Sequence, residues 1–258
     1  MNWFTPKCPV DDDTKRWLEN SFNWLIEELG TETLSSVDVV LPIEEYFPDP
    51  FSGTESDIRR MFERVCDYMD VDPKLIDLRF YVNEDGSRLH PLAGTERTGH
   101  ALGTYQMRGG KYHVRLETSQ AANPHVMVAT IAHELGHVIL LGENRLPDDY
   151  EDHEPMTDLL TVFYGMGLFN ANSVFTFEQW TNTQAQGWRA ERRGYLTEEM
   201  FGYALALFAY ARGEAKPEWA SYLNVNVRSY FKNSLKYLAK TGDTTVERIT
   251  AEAAESSA

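Results

Sequence analysis

His133-Glu134-Leu135-Gly136-His137 lies inside an otherwise apolar run, with the two histidines four residues apart and the glutamate beside the first. On an α-helix that spacing puts both imidazoles on one face, a turn apart, where each can give a ring nitrogen to the same ion. Imidazole is a favoured zinc ligand, and a neighbouring carboxylate is well placed to take a proton from a water on such an ion. The chemistry implied is metal-assisted hydrolysis, with Zn2+ as cofactor, His133 and His137 as ligands and Glu134 as general base. A buried helix carrying these three groups to no chemical purpose would hold them among apolar neighbours without partners, at a cost in free energy.

The helix has its own punctuation. Asn123-Pro124 supplies an N-cap followed by proline at the first helical position, and Gly142 supplies a stop. A tetrahedral catalytic zinc takes a third protein ligand and leaves its fourth position to water. Downstream, a second helix is expected to begin near Asp152, and on it Glu154 and Asp158 are again four apart and face the same way.

HExxH followed on a second helix by E-x-x-x-D resembles the gluzincin, thermolysin-like group of zinc metallopeptidases. The resemblance covers about residues 124 to 160. It implies that Glu154 is the third ligand and that Asp158 bonds the outer nitrogen of a metal-bound histidine, fixing its tautomer and raising its basicity. The intervening loop carries Glu143, Asp148, Asp149, Glu151 and Asp152, so other donors lie within reach. Asp158 is the main rival of Glu154 as direct ligand, and His153 follows. The metzincin pattern is excluded, because Val138-Ile139-Leu140-Leu141-Gly142 follows His137 and no third histidine stands in place.

Among the elements that must hold these groups, Trp17, Leu18, Phe22, Leu25, Ile26 and Leu29 recur at helical spacing after an acidic start at Asp11-Asp12-Asp13, up to Gly30. Val37 to Leu41 reads as a short strand. Thr54 to Asp57 forms a capping box ahead of the stripe Ile58, Met61, Phe62, Val65 and Met69. Leu78, Phe80 and Val82 alternate as a strand, Asn83 to Gly86 as a turn, and Thr104–Met107 and Lys111–Leu116 as a hairpin through Arg108-Gly109-Gly110. The fold expected is α+β and zincin-like: a small, mostly antiparallel sheet on the HExxH helix, whose edge strand can pair with an extended peptide, then a mainly helical C-terminal lobe. It is read as one domain, residues 1–142 forming an upper lobe and 143–258 a lower one.

In that lower lobe the helix carrying Asp158 continues through Leu159, Leu160, Val162, Phe163 and Leu168, Phe175-Thr176-Phe177 reads as a strand, and Thr197 caps an apolar helix from Glu198 to about Arg212. Gluzincin-like enzymes often draw an oxyanion-stabilising tyrosine or histidine from this lobe, so the resemblance makes Tyr195, Tyr203 and Tyr210 candidates, against the commoner role of core tyrosines. The last helix, about Val225 to Lys240, carries Arg228, Lys232, Lys236 and Lys240 every fourth residue.

The 258 residues are 42% hydrophobic, enough for a sizeable core, and their net charge of −16 would repel a phosphate backbone, so no nucleic-acid partner is expected. No hydrophobic stretch reads as long enough to span a bilayer, and the first residues lack the apolar core of a signal peptide, which suggests a cytoplasmic protein. Cys8 and Cys66 are too few for a disulfide framework. The functional expectation is a zinc-dependent hydrolase acting on a peptide or protein substrate. The alternative is a zinc-stabilised regulatory or binding protein, for which a general base such as Glu134 has no use.

Overall fold

The computed structural model describes residues 6–81, 111–147, 149–181 and 196–249. Its helices are α1 (Asp12–Leu29), α2 (Thr31–Ser36), α3 (Glu55–Tyr68), α4 (Pro124–His137), α5 (His153–Phe163), α6 (Gly167–Thr181), α7 (Glu198–Ala211) and α8 (Val225–Thr241); two strands, β1 (Ile76–Tyr81) and β2 (Tyr112–Glu117), stand between α3 and α4.

Local chemistry sets most of these bounds. Asp11 caps α1 by accepting from the backbone of Asp13 and Thr14, and Thr54 and Asp57 close the capping box of α3 from both directions. Asn123 caps α4, accepting from His125 N and Val126 N, with Pro124 at the first position. Thr197 caps α7 through Met200 N. Asp152 precedes α5, yet its carboxylate accepts from the Trp17 indole at 3.0 Å instead of capping, and so ties α1 to the start of α5.

The core is built from helix faces. Phe22 of α1 meets Phe163 of α5 with ring centroids 6.0 Å apart, and Leu18 and Leu25 are fully buried beside them. At the other end Trp219 bridges Phe208 of α7 and Phe231 of α8. Each fully buried side chain of this size contributes roughly 1.5–3 kcal/mol of apolar transfer free energy. Throughout α4, from Val126 to His137, every residue is buried. By length and hydropathy Pro124–Gly142 would qualify as a membrane span, contrary to the expectation that no stretch does; here 89% of it is buried by the rest of the chain.

The expected α+β, zincin-like fold with an antiparallel sheet on the HExxH helix is corrected by the structure, whose described residues are mostly helical. Among the described residues there are two strands, and they run parallel, with Ile76 opposite Tyr112 and Tyr81 opposite Glu117. Alternation of side chains locates a strand without telling its direction, and two parallel strands need a long crossover, for which the chain between Tyr81 and Tyr112 has the length. The expected hairpin at Thr104–Gly110 and the turn at Asn83–Gly86 lie outside the described residues. Val37–Leu41 is not a strand: it runs as irregular chain whose Val40 N–H bonds the carbonyl of Gly165 at 3.0 Å. Phe175–Phe177 belongs to α6, a case in which a short apolar run does not by itself distinguish helix from strand. The helix carrying Asp158 stops at Phe163 rather than running on to Leu168.

Gly165 explains that stop. Its φ is +71°, and a Cβ there would stand 2.1 Å from the carbonyl oxygen of Asp38. Gly165→Ala is therefore expected to cost about 1–3 kcal/mol for the left-handed backbone alone and more for the clash. Gly213 has a similar φ of +72° with nothing within 4 Å, so Gly213→Ala should lose only the backbone part. Urea denaturation of the two variants checks this, and an equal loss in both would remove the clash from the account.

Candidate metal centre

Helix α4 delivers His133, Glu134 and His137, all buried, and passes directly into a wider turn, Val138–Gly142, in which the N–H of Glu143 reaches back five residues to the carbonyl of Val138 at 3.1 Å. Helix α5 lies against it. Gly136 allows the close approach: a Cβ at that position would stand 2.7 Å from Cγ2 of Thr157. Across this contact α5 presents Glu154, Thr157 and Asp158.

The donor atoms of His133, His137 and Glu154 all lie within 4.8 Å of one another. Glu154 Oε2 is 3.0 Å from His133 Nε2 and 3.5 Å from His137 Nε2. A tetrahedral zinc with bonds of about 2.0–2.1 Å holds its donors roughly 3.4 Å apart, a value that the two distances from Glu154 Oε2 bracket. The side chains of His133 and His137 are 0% and 6% exposed while that of Glu154 is 28% exposed, so the cluster opens to solvent on the glutamate's side.

Hydrogen bonds behind the histidines set their tautomers. His133 Nδ1 lies 3.0 Å from Asp158 Oδ1, and a carboxylate only accepts, so Nδ1 carries the proton and donates. The other oxygen of Asp158 accepts from the backbone N–H of Leu196 at 2.9 Å, at the entrance to α7. With Nδ1 protonated, neutral His133 aims a lone pair from Nε2 at a carboxylate oxygen 3.0 Å away. Two acceptors at that distance need a proton or a cation between them, which is the chemistry of a metal-binding donor set. Burial alone would push His133 down, but the bonds to Asp158 and Glu154 outweigh it and hold the imidazole up at about 10. Burial would likewise raise Glu154, and the bonds from His133 and His137 keep it well below the ordinary carboxylate range.

The rivals for the third ligand position are placed differently. Asp158 is occupied on both oxygens at the outer side of His133. His153 stands beside the cluster, its ring 5.7 Å from that of His137 and its Nδ1 3.8 Å from Glu154 Oε1. Of the candidate tyrosines, Tyr203 is fully buried and donates to Glu19 Oε1 at 2.7 Å, joining α7 to α1. Tyr210 lies under the guanidinium of Arg248, 4.6 Å from its ring centroid. Tyr195 falls outside the described residues. Cys8 packs against the core, and burial pushes its thiol up; burial pushes the Cys66 thiol up to about 12.

Sequence reasoning does not single out Tyr81, the last residue of β1. Its hydroxyl is raised by burial and then by the charges of Glu117 and Glu134, which places it within electrostatic reach of the proposed base. Nor does it assign Thr157 a part. A threonine in an apolar helix carries no signal of its own until the partner helix is known. Compared with family models, curated proteins and solved structures, the chain finds no match. Its function is therefore read from these residues.

Proposed function

We propose that the protein is a zinc-dependent hydrolase, and that its substrate is a peptide or protein. The observation carrying this reading is that Glu154 Oε2 stands 3.0 Å from His133 Nε2 and 3.5 Å from His137 Nε2, the donor atoms of all three residues lying within 4.8 Å of one another, with a proton or cation required between His133 and Glu154. The choice of peptides comes from the resemblance of HExxH and E-x-x-x-D to the gluzincin metallopeptidases, a likeness of site and not of sheet.

In this reading His133, His137 and Glu154 hold the ion, and the buried Asp158 keeps the proton of His133 on Nδ1 so that Nε2 turns its lone pair to the ion. Zinc, when bound, supplies Lewis acidity. Glu134, next to His133 on α4, accepts the proton of the attacking water and returns it to the leaving amine. A non-catalytic zinc protein would have no need of that base.

Protein purified without added metal is expected to carry about one zinc per chain by elemental analysis, and a His133→Ala, His137→Ala double variant none. Turnover of a peptide library should stop on chelation and return with zinc. Equal zinc in wild type and double variant would overturn the assignment.

A further inference from the structure

We propose that Thr157 is a positioning residue for His137, supplying for the second histidine what Asp158 supplies for the first. The inference rests on the metal-site reading above. Thr157 is fully buried on α5, one residue before Asp158, and its hydroxyl has two neighbours. Oγ1 donates to the carbonyl oxygen of His153 at 2.7 Å, a bond that a helical threonine readily makes to the residue four before it. A hydroxyl has a single proton, so once this bond is made Oγ1 faces the rest of its surroundings as an acceptor. His137 Nδ1 lies 3.2 Å from the same oxygen. The imidazole must then be the donor, which puts its proton on Nδ1 and leaves the Nε2 lone pair directed at Glu154 Oε2, 3.5 Å away. A chain of two bonds, from His137 to Thr157 to the backbone of α5, thus fixes tautomer and ring orientation together.

The geometry of the helix contact favours this role. Thr157 can stand over His137 because position 136 is glycine, whose missing Cβ would otherwise lie 2.7 Å from the threonine methyl. The two supports also differ in kind. Asp158 brings a charge to His133, whereas Thr157 brings a neutral acceptor, so the two histidines are held in the same tautomer by supports of different charge. A neutral support avoids the desolvation cost that a buried anion in its place would carry.

Thr157→Val keeps the shape and removes the hydroxyl, Thr157→Ser keeps the hydroxyl and removes the methyl, and Thr157→Ala removes both. Zinc affinity of each is measured by competition with a chelator of known affinity, and folding by the thermal midpoint. Thr157→Val and Thr157→Ala are expected to lose about 10–100-fold in affinity, as is typical when hydrogen-bond partners behind metal ligands are removed. Thr157→Ser should stay within about threefold of wild type, rescued by its hydroxyl. Wild-type affinity in both Thr157→Val and Thr157→Ala would overturn the proposal, as would a Thr157→Ser as weak as Thr157→Ala, which would mark the effect as packing. A wild type that binds no zinc overturns the metal reading itself, and this inference with it; normal wild-type binding with unchanged hydroxyl-free variants overturns the inference alone.

Discussion

Glu154→Ala is expected to abolish tight zinc binding. The variant removes one of the three clustered donors, and the structure commits Asp158, the main rival, to His133 Nδ1 and to the backbone of Leu196. A shift of Asp158 into the vacated position would break both bonds and strand the buried N–H of Leu196, which costs about 1–3 kcal/mol by itself. Asp158→Asn is the informative partner. An asparagine can still accept from His133 Nδ1 through its amide oxygen, although its NH2 then faces the N–H of Leu196, and affinity should fall by about 10–100-fold. Both variants can be titrated against the same chelator. Retention of metal by Glu154→Ala, together with its outright loss from Asp158→Asn, would exchange the two roles.

Glu134→Gln should remove hydrolysis while leaving zinc content and folding in place. Removal of a positioned general base typically costs about 10²–10⁴-fold in rate. Glutamine matches glutamate in shape, so the buried position on α4 keeps its packing, while the amide can neither take the proton from water nor pass it to the leaving group. Side-by-side measurement of zinc content and peptide turnover separates this from a ligand role. If metal and activity disappear together, Glu134 binds the ion and the division of labour along α4 is different.

Much of the candidate site is legible in the amino-acid sequence. The four-residue spacings of His133 and His137, and of Glu154 and Asp158, survive folding because they are properties of a single helix, and Asn123-Pro124 marks where the first of those helices starts. Periodicity of this kind is local: side chains four apart share a face whatever the rest of the chain does. Thr54 with Asp57 and the cap at Thr197 are readable for the same reason, since a cap and its partner lie within three residues of each other.

What the tertiary structure decided was pairing between distant segments. The direction in which Ile76–Tyr81 meets Tyr112–Glu117 depends on the path of the intervening chain, and alternation within each strand is identical for parallel and antiparallel partners. Tyr203 could have faced the candidate metal centre or the core, and it was the arrival of Glu19 on α1 that claimed its hydroxyl. Asp152, near which the second helix is expected to begin, spends its carboxylate on Trp17 from another part of the chain and not on a cap. Thr157 became a partner of His137 only because α5 settles on α4 at Gly136, where a Cβ would stand 2.7 Å from the threonine methyl. Composition and spacing determined which residues can do the chemistry; which atoms stand behind them depends on helix contacts made across long stretches of sequence, where no local pattern reaches.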